Sequence, residues 1–204
     1  MMLSLVFAVL VADADPALEL IPPAAVAAKA SPWAASHGVL VAAKVGVFAG
    51  SGPAPVMASF SAELGWAAPW LSRLFGLSLE PGFAYSQLTR TTVVGRVQQR
   101  NLGFSMPVLL SANREMGPGL GRVLVGPVLY VFDGRSRGTP GFDTTGFDTT
   151  QVAIGADAGV SYLLWLGPGG LGLDLRYRAV PQTDINRTVL GHGLVAHLTY
   201  LLAL

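Results

Sequence analysis

The chain alternates between apolar residues and small or polar residues in several separate stretches. In residues 56–66, one face of an extended chain carries Val, Ala, Phe, Ala, Leu and Trp, and the other carries Met, Ser, Ser, Glu and Gly. Successive side chains of a β-strand point to opposite faces, so this period of two predicts a strand with one apolar face and one polar face.

The same alternation predicts eight strands after residue 38. Short connections follow the second, fourth and sixth strands, whereas polar loops at 89–96, 133–150 and 181–187 follow the third, fifth and seventh. This arrangement predicts an all-β protein, an eight-stranded antiparallel up-and-down transmembrane β-barrel. The predicted strands are 39–49, 56–66, 75–87, 97–110, 120–132, 151–164, 171–180 and 188–203.

The composition favours a membrane environment for this barrel. Hydrophobic residues make up 51% of the chain and charged residues only 12%, against about 25% charged residues in an average globular domain. No run of about 18 apolar residues follows residue 20, which argues against membrane-spanning helices. A barrel pairs all its backbone groups and needs only about ten residues for each crossing. We therefore expect the apolar faces to contact lipid.

The residues before the barrel predict export from the cytoplasm. Residues 3–12 form an apolar core and residues 12–14 a small-x-small cleavage site, so we assign 1–14 to a signal peptide. Residues 15–37 are rich in Pro and Ala and predict a periplasmic linker with one helical turn. The barrel is assigned to 38–204. The absence of cysteine excludes disulfides and thiolate metal sites.

Three prolines fall inside the predicted strands. Pro81, Pro107 and Pro127 cannot donate a hydrogen bond to a neighbouring strand, and a closed barrel has no edge strand to hold them. We expect bulges or local strand ends at these positions, and we expect Pro107 to end the paired part of the fourth strand.

Several short motifs, in this order, resemble the small outer-membrane β-barrel domain family of Gram-negative bacteria. The resemblance implies a barrel of eight to ten strands in the cell outer membrane, with lipid and the barrel-assembly machinery as partners, and implies little about activity. Chains of that family usually end on an aromatic residue, whereas this chain ends on Leu204. The motifs are VAAKVGV at 41–47, FSMPVLL at 104–110, GP at 126–127, FD at 147–148, IGADAG at 154–159, LDLRY at 173–177 and TDIN at 183–186.

The faces that point inward carry four cations and four anions. An eight-stranded barrel is only wide enough to be filled by side chains, and buried charges must pair. We therefore expect an ion-pair network rather than a wide pore. The turn at 166–170 predicts that Asp157 and Arg178 are cross-strand neighbours. The expected network consists of Lys44, Glu63, Glu80, Arg122, Asp157, Asp174, Arg176, Arg178 and His197.

Aromatic residues cluster towards both ends of the predicted strands. Membrane barrels carry aromatic girdles at both interfaces with water, so these side chains predict the membrane boundaries. The expected girdle consists of Trp66, Trp70, Phe75, Phe83, Tyr85 and Tyr200.

The sequence favours a structural or adhesive, ligand-binding membrane protein over an enzyme. It contains no motif for catalysis, metal binding or a cofactor, and its net charge of +1 argues against nucleic acid as a partner. Two alternatives stay open: a lipid-modifying enzyme that uses His192, and a soluble ligand-binding barrel of the lipocalin kind. The sequence also leaves open whether arginines of the polar loops contact lipopolysaccharide phosphates or form a solvated face.

Overall fold

The computed structural model describes residues 32–50, 56–92, 95–138, 148–180 and 192–204. The signal peptide at 1–14 and most of the linker lie outside these residues. Within them, no helix has the length and apolar character needed to cross a membrane. The elements are α1 (Pro32–Ala35), β1 (Val39–Gly50), β2 (Met57–Ala67), a 3-10 turn (Pro69–Leu71), β3 (Phe75–Leu79), β4 (Gly82–Thr92), β5 (Gly95–Met116), β6 (Gly119–Gly138), β7 (Asp148–Leu166), β8 (Gly169–Ala179) and β9 (Gly193–Ala203).

The strands form one closed antiparallel sheet. Each strand from β5 to β8 pairs with the next along the chain, and β1 pairs with both β2 and β9, which closes the ring. Both β3 and β4 lie between β2 and β5, so they occupy a single position in the wall. The ring therefore has eight positions, and the predicted eight-stranded up-and-down barrel is confirmed.

Pro81 causes the break between β3 and β4. The pairing with β2 keeps one register across the break, because Leu64 pairs with Leu79 and Ser61 with Gly82. The Ala62 amide donates a hydrogen bond of 3.0 Å to the Pro81 carbonyl, so the wall stays closed here. The expected local strand end at Pro81 is confirmed, and it involves no bulge.

Pro107 does not end the paired part of its strand, and that prediction was wrong. β5 continues to Met116. Its pairing with β6 stops after Pro107 and Val128 and resumes at Leu110 and Val125 in the same register. A proline removes one donor only, so the partners on either side restore the pairing after a gap of two residues. Pro127 lies opposite this gap and pairs with Ala156 on its other side.

The predicted loop at 89–96 is also wrong. β4 and β5 stay paired as far as Thr92 and Gly95, and β6 and β7 extend into the predicted loop 133–150 at both of its ends. These extensions are polar because they lie beyond the level of the apolar wall, and a polar strand resembles a loop in sequence. The predicted loop at 181–187 lies outside the described residues.

The wall is strongly staggered. A path that starts at Val45 and moves from each residue to its direct partner on the next strand reaches β7 at Val152 in one direction around the ring. In the other direction the path reaches β7 at Tyr162, ten residues further along the strand. A stagger of this kind tilts the strands against the barrel axis, by about 35–45° in typical barrels. The partners are Phe60, Phe83, Phe104, Val131 and Val152 in one direction and Leu198, Leu173 and Tyr162 in the other.

The two ends of the barrel differ. One end, here called the turn end, carries the tight turns at 117–118 and 167–168, together with the first and last barrel residues. Gly117 and Gly167 have φ of 58° and 67°, a conformation that favours glycine. The opposite end, here called the loop end, is where β4 to β7 extend furthest.

The helix α1 folds into the turn end, although the sequence assigns residues 32–37 to a linker. Trp33 is only 4% exposed and packs against the inner wall. The Arg73 guanidinium donates a hydrogen bond of 2.6 Å to the Ser36 carbonyl. The His37 amide donates one of 2.7 Å to the carbonyl of Leu204. These contacts fix α1 as a stopper in this end of the barrel.

Candidate functional site

The lumen is filled by side chains in three layers. An apolar layer at the turn end, the stopper layer, surrounds Trp33. An ionic layer lies in the middle, and a second apolar layer, the cap layer, closes the loop end. The stopper layer comprises Trp33, Leu40, Ala42, Ala67, Leu120, Leu163 and Leu201, and the cap layer comprises Phe48, Met57, Ala84, Val128, Tyr130, Phe132, Val180 and Val195.

The ionic layer contains every residue that the sequence places in the lumen network. All nine are buried, and none is more than 6% exposed. Four are cations and four are carboxylates, so their charges balance. The nine residues are Lys44, Glu63, Glu80, Arg122, Asp157, Asp174, Arg176, Arg178 and His197.

Lys44 is the hub of the ionic layer. Its ammonium contacts Glu80, lies 2.9 Å from the Glu63 carboxylate and lies 2.7 Å from that of Asp174. The alternation of β1 directs this side chain inward, because Val45 and Val47 point out. One cation thereby connects three different wall positions, β2, the β3–β4 break and β8.

Arg176 extends the ionic layer towards the loop end. Its Nε donates a hydrogen bond of 2.8 Å to Asp174 Oδ1, and its Nη2 donates one to Glu80 Oε1. Its Nη1 lies 3.8 Å from Asp157 Oδ2. Glu80 also accepts a bond of 2.9 Å from Ser61 Oγ. The Glu80 carboxylate, next to the break at Pro81, is therefore shared by two buried cations, Lys44 and Arg176.

Two bidentate pairs flank this centre. Arg122 donates to both carboxylate oxygens of Glu63, and its Nε lies 3.4 Å from Asn113 Oδ1. Arg178 donates two hydrogen bonds of 2.8 Å to Asp157. Asp157 and Arg178 are direct partners on β7 and β8, so the register predicted from the turn at 166–170 is confirmed.

His197 belongs to the ionic layer and has no route to a bulky substrate. Its Nε2 lies 2.9 Å from Ser59 Oγ, and its Nδ1 lies 3.5 Å from Arg176 Nη2. A serine beside a histidine suggests a nucleophile, but both side chains are at most 8% exposed. His192, the candidate of the enzyme alternative, lies at the loop end just before β9. The described residues contain no group of three or more potential metal ligands.

The cap layer is a feature that sequence reasoning missed. The Arg178 guanidinium carbon lies 5.6 Å from the ring centroid of Tyr130 and 5.9 Å from that of Phe48, within the range of cation–π attraction. The alternation along the strands does indicate that these rings point inward. Phe48 lies on the same face of its strand as Lys44, and Tyr130 on the same face as Arg122. The prediction made from the sequence for the inward faces named only ionisable residues, so it did not include the two apolar layers.

The predicted girdle residues lie on the outer wall. At the turn end, Trp66 and Trp70 pack with ring centroids 4.9 Å apart, and Phe75 and Tyr200 are exposed near the turn-end limits of β3 and β9. On the other side, Phe83 stacks on Phe60 at 5.3 Å. Tyr85 lies two residues further towards the loop end, where Arg100 sits 5.7 Å above its ring.

The outer wall between these aromatic residues is apolar and exposed. Phe60 is 42% exposed, Leu79 40% and Ile154 71%, and Val and Leu side chains fill most other outward positions. A water-soluble protein places such side chains inside and its charges outside. Here the arrangement is reversed, as expected when lipid surrounds the wall. The soluble lipocalin-like alternative does not fit this wall.

Comparison with known proteins yields structural similarity only. No protein-family model matches the sequence, and no curated protein matches it. Neisserial surface protein A matches 81% of this chain and 96% of its own, with 13% identity and a TM-score of 0.46. Ail, the attachment invasion locus protein of Yersinia pestis, solved with the heparin analogue sucrose octasulfate, matches 80% and 94%, with 8% identity and a TM-score of 0.46.

A third similar structure is a major outer membrane protein from Thermus thermophilus. It matches 80% of this chain and 97% of its own, with 19% identity and a TM-score of 0.49. The assignment of the present chain rests on its own wall, in which a closed sheet carries exposed apolar side chains around buried charges. The protein is a closed eight-stranded β-barrel whose apolar outer wall is that of a transmembrane barrel.

Proposed function

We propose that this protein is a structural and surface-binding barrel of the outer membrane, with a closed lumen and no catalytic role. The three layers of the lumen carry this proposal. Solute passage needs a continuous path of water, and the stopper, ionic and cap layers each block it with buried side chains. Lipid and the barrel-assembly machinery are its expected partners.

The ionic layer supports a structural role. A catalytic carboxylate needs access to a substrate, whereas each carboxylate here is buried and bonded to Lys or Arg side chains. Such a network holds several strands at fixed distances and specifies which strands are neighbours. The same residues therefore serve the architecture of the barrel rather than a reaction.

The extensions of β4 to β7 supply the surface for binding. They continue beyond the apolar wall at the loop end and carry polar side chains on their outward face. We place this end outside the cell, because both barrel termini lie at the turn end. Among the residues that the structure describes, the exposed polar side chains on this outward face are Gln87, Thr89, Thr91, Arg96, Gln98, Arg100, Arg135, Arg137 and Thr150.

Conductance across a planar lipid bilayer tests the closed lumen. The purified, folded protein is expected to insert without producing steady ion currents, because the layers leave no aqueous path. Steady unitary currents from the wild-type protein would overturn the closed-lumen proposal. A larger porin inserted under the same conditions serves as the positive control.

Adhesion of intact cells tests the surface role. Deleting 89–98 and joining the flanking residues with a two-residue turn shortens the β4–β5 hairpin at a register pair, Thr89 with Gln98. We expect the shortened barrel to insert normally and cell attachment to matrix-coated surfaces to fall. Unchanged attachment, with equal amounts of protein at the surface, would contradict a binding role of the extensions.

A further inference from the structure

We propose that the barrel wall opens locally along a line of three prolines, and that this opening admits small lipid-soluble molecules from the bilayer to the ionic layer. The line consists of Pro81 in the β3–β4 break, Pro107 on β5 and Pro127 on β6. A closed lumen and binding at the loop end do not require such an opening, so the inference goes beyond the proposed function.

The register places the three prolines side by side. Pro107 lies opposite Glu80, the neighbour of Pro81, because the Glu80 amide donates a hydrogen bond of 3.0 Å to the Pro107 carbonyl. The register of β5 and β6 places Pro127 opposite Val108, the residue after Pro107. The prolines therefore form one continuous line across three neighbouring positions of the wall.

Two of these prolines leave a facing carbonyl without its donor. In a hydrogen-bonded pair of an antiparallel sheet, each of the two residues donates to the other. The Ala62 amide donates to Pro81 and the Glu80 amide to Pro107, both over 3.0 Å. Neither proline has an N–H group with which to return the bond. The carbonyls of Ala62 and Glu80 therefore lose one hydrogen bond each.

The gap between β5 and β6 is a third weak contact on the same line. Val108 and Leu109 have no pairing partner on β6, although the register continues on both sides of them. A Cβ atom on Gly126 would lie 1.9 Å from the Val108 carbonyl oxygen, so the two backbones are in contact here without regular pairing. Unpaired backbone groups are strongly unfavourable inside a bilayer. The wall from β2 to β6, here called the weak sector, is therefore easier to open than a fully paired wall.

The opposite side of the ring is paired without interruption. β7 and β8 pair at every position of β7 from Ala156 to Leu166. β8 and β9 pair at every position of β8 from Gly169 to Arg178. No proline lies within these paired segments. The contrast makes β7 to β9 an internal reference for the weak sector.

An apolar groove on the outer surface leads to the weak sector. Its volume is about 360 Å³. It also reaches Ser78, which is only 3% exposed and lies two residues from Glu80 on the inward face. A lipid-soluble molecule in the groove is therefore separated from the ionic layer by one thickness of the wall. The apolar sides of the groove are Leu64, Trp66, Leu77, Leu79 and Val108.

An opening at this level leaves both ends of the lumen closed. The stopper layer lies on the turn-end side of the ionic layer and the cap layer on its loop-end side. A molecule that enters sideways therefore reaches the ionic layer without gaining a path along the barrel axis. Lateral entry and the absence of ion conduction are compatible.

The absence of native cysteine allows a test by thiol labelling. S78C and S161C are matched variants, because both serines are at most 4% exposed and neither hydroxyl group has a hydrogen-bond partner within the protein. Ser78 lies in the weak sector, whereas Ser161 pairs in register with Arg122 and Asp174 within continuously paired strands. Each folded variant in lipid vesicles is treated with N-ethylmaleimide, which enters the bilayer. The thiol adds across the C=C bond of the reagent, and mass spectrometry measures the labelling rate.

We expect S78C to react about tenfold faster than S161C, the ratio that corresponds to one lost hydrogen bond of the closed wall. P81A/P107A restores two N–H donors and should slow the labelling of S78C towards the rate of S161C. P69A is the matched control and should leave the rate unchanged, because Pro69 lies in the 3-10 turn outside the wall.

Equal labelling rates of S78C and S161C would overturn the proposal. Rapid labelling of S78C that P81A/P107A does not slow would overturn the role of the prolines. S111C takes the place of S78C if the latter does not fold, because Ser111 is a buried residue of β5 two positions from the unpaired Leu109. Bilayer conductance and cell adhesion test the proposed function independently of these labelling rates, so either proposal can fail alone.

Discussion

Asp157 and Arg178 face each other across β7 and β8 and share two hydrogen bonds of 2.8 Å inside the barrel. Both residues are almost fully buried, with relative exposures of 0% for Asp157 and 6% for Arg178. Removal of one partner would leave the other charge buried without its strongest contact, which costs about 3–5 kcal/mol. We therefore expect D157N and R178Q each to lower the free energy of unfolding by that amount.

A double-mutant cycle measures the coupling in this pair. The double variant D157N/R178Q should cost at least about 1 kcal/mol less than the sum of the single variants, by analogy with typical coupling of about 0.5–3 kcal/mol. Urea unfolding in vesicles of zwitterionic lipid, followed by tryptophan fluorescence, provides the measurement. The pair Asp133 and Arg135 is the control, because it is partly exposed and should contribute little. Additive effects at Asp157 and Arg178 would refute the coupling.

Replacement of Lys44 tests the hub of the ionic layer. K44M keeps most of the side-chain volume but removes the cation that three carboxylates share. We expect the free energy of unfolding to fall by about 3–5 kcal/mol, because uncompensated negative charge stays buried. K44R keeps the charge and should lose less. The same unfolding assay decides this, and a K44M barrel as stable as wild type would show that the network has no energetic role.

Charged residues on the outer wall test its burial in lipid. F60R or L79R places a guanidinium group in the apolar band between the aromatic residues, where about 2–4 kcal/mol of stability is lost near the midplane. T89R, on the outward face of the β4 extension, is the matched control and should change stability by less than about 0.5 kcal/mol. If F60R and L79R behave like T89R in lipid vesicles, this band does not contact the bilayer.

A substitution at Trp33 tests the role of the stopper layer separately from that of the ionic layer. W33A removes the largest side chain of the stopper layer, and truncation of a buried aromatic residue costs up to about 3–5 kcal/mol. The ionic and cap layers still fill the lumen, so we expect bilayer conductance to stay at baseline while stability falls. W70A is the control, because Trp70 is 74% exposed and should cost less. New conductance in W33A would mean that the stopper alone closes the barrel.

Alternation along the chain predicts the closed wall because each strand has one face towards lipid and one towards the lumen. The same two-residue period predicts the partner of Asp157, since a tight turn sets the register. Alternation carries no information on segments where both faces meet water, which is why residues 89–96 resemble a loop in sequence. A proline in the sequence likewise suggests the end of a strand. Pro107 shows, however, that neighbouring residue pairs restore the hydrogen bonding between the two strands.

The stopper could not be derived from periodicity. Trp33 belongs to a four-residue helix, too short for a period of 3.6 to be visible. Its position depends on contacts that are distant in sequence, from Arg73 to Ser36 and from His37 to Leu204. Ser72 and Arg73 adopt positive φ values of 50° and 58° without being glycine, which no sequence pattern indicates.

The hub position of Lys44 has a consequence for how the barrel matures. Lys44 lies on the first strand, two of its carboxylate partners precede residue 81, and the third, Asp174, lies on the last strand but one. The early hairpins can therefore form with a surplus of negative charge around one cation. Neutrality at the centre is complete only when the late strands arrive and β9 joins β1. The pairing of β1 with β9 and charge neutrality at the centre of the barrel are therefore reached in the same step. A half-closed sheet is for this reason an unstable intermediate.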